Sequence, residues 1–270
     1  MEEKEKVILL IDADSLIYFV AHLETLEEAI LKLDERVHNI MEANDTDQYV
    51  MFLTGKDCFR YDVAKSAPYK GNRKDRERPR WLSVITQYMT AKYNAVYHKG
   101  LEADDAVCYF KNVIPNSRIC AIDKDVVNST EGTHFNYGME KVPGTEPQEW
   151  RFKGFITVTE SDAINALYSQ MLTGDSGDNI PGIKGVGPAK AAKIMNTVTS
   201  KTEEESILNS YIGAYGVVEG IVRFAETFRL VYMLRNNEDM MREVGYIPEL
   251  PEIQTYALIE LKEESTTEWD

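Results

Sequence analysis

A strand-length apolar run ending in Asp-x-Asp occurs twice in this chain, and that repetition constrains the fold more than any other feature. Val7-Ile8-Leu9-Leu10-Ile11 leads into Asp12-Ala13-Asp14-Ser15, and Ser117 to Ile122 leads into Asp123-Lys124-Asp125. A continuous apolar run without polar alternation describes a strand buried on both faces, which is the interior of a parallel sheet covered by helices. Open sheets of that kind place their sites beyond the carboxyl ends of the strands. Both acidic pairs are therefore candidate site residues.

The segments between them support the same class. Tyr49 to Leu53, closed by Thr54-Gly55, and Asn94 to His98 are further strand candidates. Leu16 to about Met41 has helical spacing, with Leu23, Leu26, Ile30 and Leu33 on one face, and so has Trp81 to Tyr93. The βαβα order predicts an α/β fold with a central, mostly parallel sheet flanked by helices. Thr133 to Tyr137 and Phe152 to Val158 predict a hairpin, and Thr159-Glu160-Ser161-Asp162 predicts a helix start before Ala163. The expected division is an α/β core over 1–172 and, packed on it, a helix-hairpin-helix and C-terminal helical region over 173–270, with a frayed acidic end from Glu260.

Glu102-Ala103-Asp104-Asp105 carries three carboxylates in four residues. At a surface-like dielectric each close pair repels by about 4 kcal/mol. As a helix start, the segment predicts a buried stripe of Ala103, Val107, Phe110 and Ile114, with Glu102 and Asp105 sharing a polar face and Asp104 flanking it. Two readings stand: an acidic first turn that complements the helix dipole, or one side of a cation site. Collected over the chain, the strand-end and loop acids are Asp12, Glu102, Asp104, Asp105, Asp123, Asp125, Asp175 and Asp178. Oxygen donors without histidine or cysteine suit Mg²⁺, with Mn²⁺ as a substitute, rather than zinc. Eight acids exceed the needs of one ion, and two ions roughly 4 Å apart would clamp the attacking and leaving oxygens of a phosphodiester. Asp14 reads as a cap on the helix that follows, with a spare ligand as the alternative. The three cysteines, odd in number and widely spaced, form neither a disulfide framework nor a zinc motif.

The net charge of −15 opposes a polyanionic partner, but its distribution does not. Between Lys56 and Arg80 nine basic residues face four acidic ones, a basic patch on an acidic body. Within it Tyr69 is placed to stack on a base while Lys70, Arg73 and Lys74 meet phosphates, on a segment expected to protrude and to order on binding. Lys70 can also close over a scissile phosphate. Farther on, Gly182-Ile183-Lys184-Gly185-Val186-Gly187-Pro188 before a Lys/Ala helix matches a helix-hairpin-helix. There the backbone N–H groups at Gly185 and Gly187, with Lys184, Lys190 and Lys193, can grip a phosphate. Carbonyls of that turn, at Ile183 and Val186, can hold a monovalent cation. A plain glycine-rich helix turn is the alternative. No stretch is long and apolar enough to span a bilayer, so the expectation is a soluble, cytoplasmic protein with no membrane partner.

In order along the chain, Ile11 to Ser15, Tyr69-Lys70-Gly71-Asn72-Arg73, Gly100 to Asp105, Asp123-Lys124-Asp125 and Gly174 to Lys193 resemble the motif set of the 5′-nuclease superfamily. That group includes flap endonucleases, the 5′-nuclease domain of bacterial DNA polymerase I and phage 5′-3′ exonucleases, and the likeness is strongest to the T7-type and T5-type phage enzymes. It spans about Val7 to Met195. The resemblance implies a helical arch from about 65 to 93, two Mg²⁺ ions on the eight acids, and Lys70 and Arg73 as catalytic arch bases. It also implies K⁺ at the hairpin. The expected substrates are DNA with 5′ ends, flaps or nicks, or RNA in hybrids, for a monomer working beside replication proteins. The family commonly ends its second strand with Asp before a Phe-Arg pair. Here Thr54 stands at the strand end, with Asp57 displaced towards Phe59-Arg60, which implies a weaker first metal site.

Two other classes compete. Asp12-Ala13-Asp14-Ser15 and Gly174-Asp175 to Asp178 also resemble motifs of haloacid-dehalogenase-type phosphatases, where the first Asp is a nucleophile. A non-catalytic binder of branched DNA would use the same clamp, but would gain affinity by losing its acids.

Overall fold

The structure, a computed structural model, describes residues 6–196 and 203–257, so the expected frayed end from Glu260 lies outside the described residues. Strand β1 (Ile8–Asp12) passes directly into helix α1 (Ala13–Val20), followed by α2 (Leu26–Asn44) and β2 (Gln48–Phe52). Next come a single turn α3 (Arg60–Val63), α4 (Leu82–Tyr93) and α5 (Ala103–Val113). The chain continues through β3 (Ser117–Ala121), α6 (Lys124–Val127), β4 (Gly132–Lys141), β5 (Trp150–Val158) and α7 (Glu160–Thr173). Short strands β6 (Gly174–Asp175) and β7 (Ile180–Pro181) precede α8 (Pro188–Met195), α9 (Glu203–Tyr215), α10 (Val217–Val231), α11 (Asn237–Glu243) and β8 (Gln254–Thr255).

The main sheet has the order β5-β4-β3-β1-β2-β8, with β4, β3, β1 and β2 parallel and the two edge strands antiparallel. Alternation along its strands feeds two cores. Leu10, Val50, Phe52, Ile119 and Ala121 point to the face covered by α5, α7 and α10. Leu9, Ile11, Tyr49, Met51 and Cys120 point to the face covered by α1, α2 and α4. Both sets are almost wholly buried, as the unalternating runs require. The strand expected at Asn94 to His98 is reduced to one bridge, Val96 to Phe52.

The long helix expected from Leu16 to Met41 is broken. Ala21 closes α1, and Thr25 restarts the chain by accepting the Glu28 N–H at 3.1 Å. The loop before α4 docks on this joint, with the Trp81 backbone N–H on the Ala21 carbonyl at 3.1 Å and its indole on the Leu23 carbonyl at 3.0 Å. Strand β8 brings the chain back to the edge of the main sheet beside β2, so the helical region after 173 does not end apart from the core. Among the described residues no helix is long and apolar enough to cross a membrane.

Candidate active site

Two adjacent parallel strands deliver the first acids in the same way. Asp12 ends β1 and caps α1, accepting the Asp14 N–H at 3.1 Å and the Ser15 hydroxyl at 2.8 Å. Asp123 follows β3 and caps α6, accepting the Asp125 N–H at 2.8 Å. The cap is therefore Asp12, and the expectation that Asp14 caps the helix is corrected. The chain turns helical at Ala13, which lets the Asp14 carboxylate reach sideways to accept the Thr54 N–H at 3.2 Å. Burial, and next the charge of Asp14, push Asp12 up to about 7. Burial and the charge of Asp123 push Asp125 up to about 6.

Helix α5 brings the next three acids, and they separate. Glu102 holds the extended position before the helix, but the first-turn cap is supplied by Thr54, whose Oγ1 accepts the Ala103 N–H at 2.9 Å. The Glu102 carboxylate is left to accept the Tyr69 hydroxyl at 2.6 Å and the Lys70 ammonium. Burial opposes its charge, yet Arg60 and Lys70 hold it below the ordinary range. Asp104 receives no hydrogen bond or ion pair among the described residues. Burial, then the charges of Asp12, Glu102 and Asp123, raise it well above the usual carboxylate range. Asp105 is fully buried and clamped by the guanidinium fork of Arg60, whose other bonds go to the Leu230 and Tyr232 carbonyls at 2.8 and 3.0 Å. Glu102 and Asp105 share one polar partner, since Arg60 stands 3.5 Å from Glu102 as well, but the side they share is turned to a buried guanidinium and not to solvent. Asp105 faces the interior on an internal ion pair, and Asp104 faces the other acids.

The basic segment is held down rather than projecting. Asn179 donates to the Pro68 carbonyl at 2.8 Å, the Lys70 N–H to the Asp178 carbonyl at 2.8 Å, and Asn72 to the Ser176 carbonyl at 2.7 Å. Arg73 bonds the Gly177 carbonyl at 3.1 Å and pairs with the Asp178 carboxylate. The expected helical arch over 65–93 is a loop with one 3-10 turn at Gly71–Arg73, followed by α4, which packs Ile85, Met89 and Tyr93 into the core. Residues 72–78, including Lys74, form its exposed part. Tyr69 cannot stack on a base: it is 5% exposed, and its hydroxyl bonds Glu102 and, at 2.9 Å, Asp178. On the opposing loop, Asp175 accepts the Gly177 N–H at 2.7 Å. Gly174 and Gly182 set that loop's closure, because a Cβ on either would stand 2.3 Å from the backbone nitrogen of the other.

These elements place Asp12, Asp14, Glu102, Asp104 and Asp123 within electrostatic reach of one another, and Asp125 within reach of Asp123, Asp175 and Asp178. Among the described residues no three acids form a ready-made cage. Apart from Asp104, each carboxylate is turned to a protein donor, so ion binding would need side chains to rotate. The donors nonetheless fit hard divalent cations: all are oxygens, one carboxylate has no donor, and a cation, the Lys70 ammonium, already sits against Glu102 and 3.7 Å from Asp178. Asp12, Glu102 and Asp104 would hold one ion, and Asp123, Asp125, Asp175 and Asp178 a second. The sequence names Thr54 only for the carboxylate it lacks and gives no positioning role to Thr54 or Asn72, nor to Arg60 as an internal partner. Only Thr54 had a local signal, its place at the end of a strand.

After the β6–β7 loop, a tight turn at residues 183–187 leads into α8. The Val186 N–H donates to the Ile183 carbonyl at 2.9 Å, both side chains are buried, Gly185 is left-handed at φ +77°, and Gly187 precedes Pro188 at the helix start. Lys184, Lys190 and Lys193 are exposed. The Lys184 N–H is already used by the Tyr215 hydroxyl at 2.9 Å.

No protein-family model and no curated protein match the chain. Solved structures do. A phage T5 protein co-crystallised with metal ions has a TM-score of 0.62 at 15% identity, over 85% of this chain and 90% of that one. The T5 5′-exonuclease with zinc bound gives 0.57 at 15%, over 84% and 89%. Flap endonuclease-1 from Methanococcus jannaschii gives 0.52 at 11%, over 86% and 79%. The fold is that of the 5′ nucleases. Within the 5′-nuclease fold of this chain, Asp12 and Asp123 lie where parallel strands end and the next helices begin, Glu102 and Asp104 lie at the start of α5, and Asp175 ends β6 with Asp178 in the β6–β7 loop.

Proposed function

We propose that this chain is a divalent-metal-dependent nuclease that hydrolyses phosphodiesters at the 5′ ends of DNA, or of RNA in hybrids. The observation that carries the reading is Asp104, a half-buried carboxylate without a donor, facing Asp12, Glu102 and Asp123 from three separate elements. The fold supports it, because T5 5′-exonuclease and flap endonuclease structures share it. When bound, Mg²⁺ ions would lower the pKa of a water and neutralise the charge on the leaving oxygen. The chain's own residues do the rest. Lys70 and Arg73, lying over the acids on the loop clasped by Ser176 to Asp178, are placed to receive the phosphate when their carboxylate partners turn to cations. Lys74, Lys184, Lys190 and Lys193, with the backbone at Gly185 and Gly187, would hold flanking duplex, and the Ile183 and Val186 carbonyls a K⁺ ion. Asp105 has a positioning role, fixing the first turn of α5 through Arg60.

A phosphatase with Asp12 as nucleophile is less well supported, since both Asp12 oxygens already accept hydrogen bonds and that reading leaves Glu102, Asp104 and the Lys70–Arg73 loop without a role. The deciding measurement is product sizing on 5′-labelled flap, nicked duplex and RNA–DNA hybrid, with Mg²⁺ or EDTA. Asp104→Asn should abolish cleavage and leave DNA affinity intact. Cleavage in EDTA, or full activity of that variant, would overturn the reading.

A further inference from the structure

The two strand-Asp-x-Asp units are built alike, and the likeness extends to their second acids. In each, the first Asp ends or follows a strand and caps a helix with the N–H of the second. Asp125 meets α7, accepting from Gln170 at 2.9 Å, and feels Asp123, Asp175 and Asp178. Asp14 meets instead the segment that follows β2, the neighbour of β1 on the side away from β3. That strand ends at Phe52, and Leu53, Thr54 and Gly55 after it offer no carboxylate. Thr54 links the two sides of the gap: its N–H donates to Asp14 Oδ1 at 3.2 Å, and its Oγ1 accepts from Ala103, next to Glu102, at 2.9 Å. The charges of Glu102 and Lys70 both act on Asp14, which places it on the Lys70 side of the acids.

We propose that Asp14 is a direct divalent-cation ligand, supplying from the first turn of α1 the carboxylate that the end of β2 lacks. The proposal rests on the metal-dependent reading above. Thr54 then has a defined job: by holding one Asp14 oxygen it aims the other at the ion shared with Glu102. A charge at residue 54 would make Asp14 redundant, which gives the test its rescue arm.

The experiment is Mn²⁺ binding to the full chain without DNA, followed by electron paramagnetic resonance of the free ion. Asp14→Asn keeps an oxygen for the Thr54 N–H, so the fold should be retained, and a melting temperature in EDTA no lower than that of the wild type would verify this. The expected result is a loss of about tenfold or more in affinity at one Mn²⁺ site, with the other unchanged. Thr54→Asp in the Asp14→Asn background should restore the weakened site. Unchanged binding in Asp14→Asn would overturn the inference, as would a small, equal weakening of both sites, which is the signature of lost charge alone. Either result with a wild type that binds two ions leaves the nuclease reading standing. A wild type that binds no Mn²⁺ overturns both.

Discussion

Raising the pH of a divalent-free sample should destabilise the fold, and adding Mg²⁺ should remove the effect. Asp12 is 3% exposed and is pushed from 3.8 to about 7, by burial first and by Asp14 next. A folded-state value above the unfolded one means that the native state binds the proton more tightly. The associated stability is fully present below 3.8 and is lost as pH rises to about 7. A shift of roughly three units corresponds to about 4 kcal/mol, a large share of a typical folding free energy of about 5–15 kcal/mol. Asp125, raised to about 6, and the raised Asp14 and Asp104 act with the same sign. Glu102 acts oppositely, but its folded value is depressed below 4.5, so its stabilisation is lost only at lower pH. The window from about pH 5 to 7 isolates the raised acids, and there Asp12 alone should cost about 2–3 kcal/mol. Urea denaturation followed by circular dichroism, at several pH values in EDTA and in Mg²⁺, measures it. Stability that is flat or rising with pH in EDTA, or an equal gain from Mg²⁺ at both ends of the window, would refute the reasoning.

The remaining expectations concern single groups. Arg60→Ala leaves Asp105 buried without its partner and should cost about 3–5 kcal/mol by urea denaturation, whereas a loss below about 1 kcal/mol would remove the ion pair from the account of the fold. Lys70→Ala should lower the cleavage rate by about 10²-fold or more with little change in DNA affinity, compared by single-turnover kinetics and fluorescence anisotropy; the opposite pattern would make Lys70 a tether. Replacing Lys184, Lys190 and Lys193 together by Ala should reduce the slope of log affinity against log salt by about 3 on duplex DNA, and an unchanged slope would take the hairpin out of the interface.

What the sequence made legible was what neighbours in sequence decide. The Val7 to Ile11 run gave a strand buried on both faces, Asp12 and Asp123 fell at strand ends, and the Thr159 capping box appears where the helix start was expected. What was hidden depended on partners far along the chain. The burial of Asp105 is set by Arg60, 45 residues away, which is itself fixed by carbonyls 170 residues farther on. Tyr69 looked like a stacking residue because its neighbours are basic, but its hydroxyl is claimed by Glu102 and Asp178. The basic segment looked mobile by composition, yet Asn72 and Arg73 fasten it to the 176–178 backbone. The Asp14 misreading has a different cause: Asp-Ala-Asp offers two acids as the cap, and the chain turns helical at Ala13, which gives the cap to Asp12 and leaves Asp14 inside the first turn. An acid one step into a helix points along the sheet edge instead of across it, and the open place on that edge is the end of β2. On the proposed ligand role of Asp14, the weakness that the resemblance implies at Thr54 is offset locally, because the Asp14 carboxylate is held within a single hydrogen bond of Thr54.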